Sequence, residues 1–319
     1  MPHELLVSIL RGFLMGSADI VPGVSGGTIA LVLGIYERLV ASISRGSTAL
    51  GRLLRGDRRG FVAELRRVEW TLVLPLVIGI GLAVVTLTRL LETALARHPE
   101  AMAGFFLGLV GGSVVLAWRL LRRRDGFRLA VVAGTSLVVF VALGLIGGEA
   151  PPLAGRPSLP AFFLAGAIAI SAMILPGISG SFLLVVLGMY GPVVAAVNAR
   201  DLPALGVFLV GTVVGLALFS RGLDWALRRH HDTVLAALIG LMAGSLRVLW
   251  PWPDGVDSTS IGPPDGKILV VAGLAIVGVA AVLAISALAG VEPARSGTVL
   301  RVDADVPTLA GNEEAKEDR

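Results

Sequence analysis

Apolar residues dominate the chain in runs bounded by short polar or arginine-containing segments. The runs approach the ~20 residues that a helix needs to cross a ~30 Å hydrocarbon core. Trp70 to Leu91, Ala101 to Leu121 and Leu129 to Gly147 read as three crossings, and 203–221, 233–250 and 267–290 as three more. Two further stretches, 5–43 and 161–198, are broken in the middle by Pro-Gly and Ser-Gly pairs. Proline removes a helix donor and clashes with the preceding turn, so the helix stops there. In the first stretch the arms are about 16 residues each, to Pro22 and then Thr28 to Ile43, short for a full crossing at ~1.5 Å per residue. Each stretch is therefore expected to be a re-entrant helical hairpin.

The two breaks are copies of one motif. Ser17 to Tyr36 reads SADIVPGVSGGTIALVLGIY and Ser171 to Tyr190 reads SAMILPGISGSFLLVVLGMY, identical at eleven of twenty positions without a gap. A second alignment pairs Arg89 to Trp118 with Arg221 to Trp250, matching Arg89/Arg221, His98/His230, Gly108/Gly240, Gly112/Gly244 and Trp118/Trp250. The offset falls from 154 to 132, so the second half lacks 22 residues, most of them from an arginine-rich stretch. Each half holds one hairpin and three crossings. An odd number of crossings makes the second copy enter from the opposite face. The expected fold is an all-α polytopic membrane protein with an inverted repeat: 1–148 as the first repeat, 149–290 as the second, and 291–319 as a poorly ordered, mixed-charge tail.

Composition agrees with that class. Of 319 residues 55% are apolar and 16% charged, and mean hydropathy is +0.84. The excess positive charge is clustered at Arg45, Arg52, Arg55, Arg58, Arg59, Arg66 and Arg67 and again at Arg122, Arg123, Arg124 and Arg128. Short basic loops stay in the cytoplasm, which puts both segments, and both termini, inside. Such charge bears on orientation and anionic lipid, not on nucleic acid. The opening residues lack a basic n-region and a small-residue cleavage site, so the N-terminus reads as retained. Without cysteine there is no disulfide or thiolate metal site. The four histidines keep no metal-ligand spacing with carboxylates, so neither metal nor cofactor is expected.

Backbone freed at membrane depth survives where protein, water or a ligand satisfies it, and paired breaks in related halves point to a transport site. Gly23, Ser25, Gly26, Gly27 and Thr28 follow Pro22, and Gly177, Ser179, Gly180 and Ser181 follow Pro176. Glycine lets a ligand approach backbone closely, and hydroxyls donate to phosphate oxygens. These residues are the candidate substrate contacts; the alternative is that small residues only let the hairpins pack. Asp19, with Met173 as its counterpart, is an asymmetric intramembrane carboxylate, a candidate for proton or cation coupling or a cap on the broken backbone. Arg89 and Arg221 are candidate phosphate collectors at the two mouths, or snorkelling arginines paired with Glu92 and Asp224 three residues on.

The run GSADIVPGVSGGTIALVLGIYERLV, with its second copy ILPGISGSFLLVVLGMY, resembles the polyprenyl-phosphate transporter family over roughly residues 5–290. The resemblance implies a flippase of the cytoplasmic membrane that translocates undecaprenyl phosphate or a related polyprenyl phosphate, recycling the lipid carrier of cell-envelope synthesis. Only Pro22 to Thr28 and Pro176 to Ser181 are carried over from the family. The residues themselves also admit a secondary transporter of a small water-soluble anion and, less well, an intramembrane lipid phosphatase, which would need an activated nucleophile beside basic phosphate-binding residues.

Overall fold

The computed structural model describes residues 2–21, 24–145, 157–253, 255–256 and 260–288. Pro22, Gly23 and the expected tail at 291–319 lie outside them. All regular structure among the described residues is helical: α1 Pro2–Asp19, α2 Gly26–Val32, α3 Tyr36–Leu54, α4 Arg58–Arg66, α5 Trp70–Arg97, α6 Pro99–Leu120, α7 Gly126–Leu145, α8 Leu159–Ile174, α9 Gly180–Val186, α10 Tyr190–Asn198, α11 Leu202–Ser245 and α12 Ile268–Leu288. Among them α5, α6, α7, α11 and α12 are long and apolar enough to cross a membrane. The outer face of α5 carries Leu74, Ile78, Leu82 and Val85, all exposed, and α7 buries no residue. Unbroken apolar surface of that kind is what lipid covers.

The helix breaks at the two motifs occur where the sequence puts them, and a second break follows each. Gly34 and Gly188 take φ of +67° and +66°, the left-handed region that glycine enters without steric cost. The expected single arm from Thr28 to Ile43 is thus two helices, α2 and α3, and in the second copy α9 and α10 meet at 105°. The arginine-rich stretch expected as a loop is mostly helix as well. It forms the end of α3 and all of α4, whose first turn is capped by the Asp57 carboxylate accepting from Gly60 N at 2.8 Å.

The gaps expected between neighbouring crossings, 92–100 and 222–232, shrink to single residues. His98 (φ −139°, ψ 56°) separates α5 from α6, and His230 (φ −133°, ψ 43°) breaks α11 into two arms. The matched histidines therefore mark the same backbone joint in both halves.

Packing repeats between the halves. Helix α1 lies on α5, and α8 lies on the first arm of α11. A β-carbon at Gly12 would strike the backbone of Leu76, and one at Gly79 the carbonyl of Ile9; in the second half Gly166 faces Phe208 and Gly211 faces Phe163 in the same way. These positions correspond under the offsets of 154 and 132. The last helices are exchanged. Helix α12 packs on α6 with Gly108 against Ala275, while α7 packs on the second arm of α11 with Gly240 against Val132. The boundary at 148 divides the sequence, whereas the packing interleaves the two parts.

The close crossings give a stability prediction. Gly12→Leu and Gly166→Leu should each destabilise the protein by about 1 to 3 kcal/mol or more, because the new side chain meets backbone that cannot turn aside. Gly134→Ala on α7, where nothing lies within 4 Å, should cost nothing and stabilise by up to about 1 kcal/mol. Thermal unfolding in detergent measures all three.

Candidate anion site at the paired helix breaks

The two breaks meet each other. In the first, Ser25 caps α2, its Oγ accepting from Gly27 N at 3.1 Å, and sits against the carbonyls of Leu175 and Met173 at 3.3 and 3.4 Å. Thr28 Oγ1 accepts from Gly177 N at 2.9 Å, and the Tyr36 hydroxyl donates to Ile174 O at 3.1 Å. Groups freed by the break at Pro176 are thus satisfied by side chains of the first copy, as unpaired backbone at membrane depth requires. Gly177, at φ +85°, makes the turn, and a β-carbon there would fall 2.8 Å from Met242 Cα.

The exchange is not mutual. The counterpart of Thr28 is Phe182, which has no hydroxyl, and the counterpart of buried Tyr36 is Tyr190, which is 48% exposed. Ser179 and Ser181 bond to each other at 2.7 Å, and Ser179 makes no side-chain cap on α9. The second tip keeps its hydroxyls for something else.

Asp19 makes the same distinction. Its Oδ1 accepts from Gly26 N at 2.6 Å, so a carboxylate of the chain already occupies the start of α2. A β-carbon at Gly26 would lie 2.5 Å from Asp19 Oδ2, and one at Gly180 would lie 2.6 Å from Met173 Cγ. Met173 therefore covers α9 where Asp19 covers α2, but its thioether does not take the N–H that the Asp19 carboxylate takes in the first copy. The contact that Asp19 makes is that of a cap.

Two cavities of about 260 Å³ open on either side of this pair. The first is bounded by Ser179, Gly180 and Ser181 of the second tip, by Gly166 and Ala169 of α8, and by Phe208 and Thr212 of α11. The second is nearly all apolar, walled by Met15, Leu39, Ile43, Leu76, Ile80 and Leu216 and reaching Gly26 and Gly27. Asp19, Ile170 and Met173 line both.

Of the sequence-predicted contacts, the structure gathers Ser179, Gly180, Ser181 and Asp19 around one cavity and Gly26 and Gly27 around the other. Ser25, Thr28 and Gly177 are buried in the contact between the breaks, and Gly23 lies outside the described residues. Arg89 and Arg221 line neither cavity. Arg89 is exposed on α5, and Arg221 donates to Ser47 O on α3. Tyr36, Met173 and Thr212 were not singled out from sequence, although the tyrosine closing both motif copies and the Asp19/Met173 mismatch were visible there. Glu37 accepts from His231 at 2.7 Å and ties the start of α3 to the joint at His230.

A family model described as undecaprenyl phosphate translocase-like matches residues 15–261. The chain is 40% identical over 249 residues to a polyprenyl-phosphate transporter of Vibrio cholerae serotype O1, covering 78% of this chain and 79% of that protein. It is 35% identical over 259 residues to a polyprenyl-phosphate transporter of Staphylococcus aureus, covering 77% and 86%. No solved structure matches it.

Proposed function

Because this chain belongs to the undecaprenyl phosphate translocase-like family, we propose that it moves undecaprenyl phosphate, or a related polyprenyl phosphate, between the leaflets of the cytoplasmic membrane. It would thereby return the lipid carrier of cell-envelope synthesis. The observation that carries this reading is the pair of adjoining cavities. One offers serine hydroxyls and the backbone of the second tip, the other an apolar wall, and Asp19 and Met173 stand between them. A phosphate head with a prenyl tail has a use for both environments, whereas a small water-soluble anion has none for the apolar one. A lipid phosphatase would need an activated nucleophile at the head, such as a histidine or a serine with a histidine base beside it. His98 and His230 instead form helix joints and His231 pairs with Glu37, so none of these three lines either cavity.

In this scheme Ser179, Gly180 and Ser181 hold the phosphate, Ser25, Thr28 and Gly177 lock the breaks together, and Asp19 couples movement to a proton or cation. The halves are inverted, rocking of one against the other exposes the site alternately, and the arginine-rich face and both termini lie in the cytoplasm.

Leaflet exchange of a labelled polyprenyl phosphate in liposomes carrying the purified protein tests the reading. Neutral polyprenol and an unrelated anionic lipid serve as comparisons, and free phosphate as competitor. Acceleration of the polyprenyl phosphate alone, lost in Gly26→Trp, is the expected result. The tryptophan would displace Asp19 and fill the space at the first tip. No acceleration of polyprenyl phosphate, together with uptake of free phosphate by the same liposomes, would support the soluble-anion reading instead.

A further inference from the structure

A third cavity lies away from the tips, between α3, α4 and α11. Its volume is about 690 Å³, and Arg45, Arg67, Arg221 and Arg228 line it together with Glu64 and Asp224. The two acids are already engaged. Glu64 sits between Arg52 at 3.2 Å and Arg67 at 3.4 Å, and Asp224 is 3.0 Å from Arg228. Arg45 and Arg221 have no carboxylate within 4 Å among the described residues. Arg45 Nη1 donates to Arg67 O at 2.7 Å, Arg221 donates to Ser47 O, and Arg221 Nε is buried without a partner. A guanidinium has five donors in a fixed fork, so each keeps most of them for an incoming anion.

This concentration of charge forms where α3 and α4 of the first half meet α11 of the second. The end of α3 and the whole of α4 belong to the stretch that the second half lacks, and Arg89, the counterpart of Arg221, is exposed and lines none of these three cavities. Helix α11 connects the two sites. Thr212 borders the serine-lined cavity, Leu216 the apolar one, and Arg221 the basic one, which puts Arg221 ~14 Å from Thr212 along the helix. Trp225 stands at the rim, 62% exposed, as an aromatic side chain does at the level of lipid headgroups.

We propose that the cavity between α3, α4 and α11 is a second phosphate site, in which Arg45 and Arg221 capture a phosphomonoester on the arginine-rich face. Ser44 and Thr48 add hydroxyls on α3. The proposal deepens the transport reading and rests on it for the role of the site, as the place where the headgroup docks at one face and not at the other. Its binding chemistry, two forked guanidiniums on one phosphate, stands independently of that role.

The test is a titration of the full chain in detergent, following Trp225 fluorescence, with inorganic phosphate in one arm and farnesyl monophosphate in the other. A Trp225→Phe protein identifies the signal. Saturable quenching is expected in the native protein and in Ser179→Ala/Ser181→Ala, with affinity at least about tenfold lower in Arg45→Gln/Arg221→Gln. Arg45→Lys/Arg221→Lys, which keeps charge but not the fork, should fall between them and guards against simple misfolding. Response to both probes assigns the site to phosphate as such, and response to the prenyl ester alone assigns it to the lipid headgroup. Unchanged affinity in the glutamine and lysine pairs, or no saturable signal in the native protein, overturns the proposal. Binding here without leaflet exchange would sink the transport reading and spare this site, and exchange without binding here would do the reverse.

Discussion

Leaflet exchange of polyprenyl phosphate is expected to fall about ten- to a hundredfold when Ser179 and Ser181 are both replaced by alanine. The two hydroxyls bond to each other at 2.7 Å, so one donor of the pair is committed and the other is free to reach a ligand. A hydrogen bond to a charged group contributes about 1.5 to 3 kcal/mol, and each 1.4 kcal/mol is a factor of ten. Among the described residues neither serine bonds through its side chain to another element, so the thermal stability of the double variant should stay near that of the parent. Ser25→Ala is the contrasting case. It removes the cap on Gly27 N and the contacts with Leu175 and Met173, so it should lower stability together with exchange. Measured rates in the double variant equal to the parent, at equal amounts of folded protein, would remove the phosphate from the second tip.

Asp19→Asn separates the two roles open to the carboxylate. Asparagine still offers an oxygen to Gly26 N, so the cap and the fold should persist, yet it cannot take up or release a proton. Exchange driven by a pH gradient is expected to drop to the rate without a gradient, while that ungradiented rate changes little. Asp19→Met, which makes the first tip like the second, should do more. It leaves the Gly26 N–H without an acceptor, at a cost of about 1 to 3 kcal/mol, and should lower both stability and exchange. If gradient-driven exchange by Asp19→Asn matches the parent, Asp19 is a cap and nothing more, and the coupling group must be sought elsewhere.

Several features of this arrangement could be read from residues and others could not. A proline beside a glycine is a legible place for a helix to stop, as at Pro176, because the missing donor and the ring clash are local, although Pro75 is carried inside α5. Gly34 and Gly188 were equally visible in both motif copies but passed as ordinary members of an apolar run. A glycine costs a helix only about 1 kcal/mol, so whether it bends is settled by what the next helix packs on. The arginines of α3 and α4 read as a loop because charge was their strongest signal. They lie on helices whose other residues, Tyr36, Val40 and Ala49 among them, are buried in α3. Arg89 and Arg221 looked equivalent, and their helices are. Only the extra α4 gives one of them a cavity.

The sequence by itself determined that the chain is a helical membrane protein with broken helices in two related halves, since apolar length, proline placement and self-similarity are properties of short stretches. Tertiary structure alone decided which tip is filled and which is open. The two motifs are identical at eleven of twenty positions, yet Thr28 and Tyr36 enter the opposing break while Phe182 and Tyr190 do not. Asp19 closes one helix start and Met173 merely covers the other. The second segment could return these contacts only with a hydroxyl at the place of Thr28 and a tyrosine turned inward, and it has Phe182 and an exposed Tyr190 there. The side chain that completes the hydrogen bonds takes the inner place, and the tip whose hydroxyls bond to each other borders the serine-lined cavity.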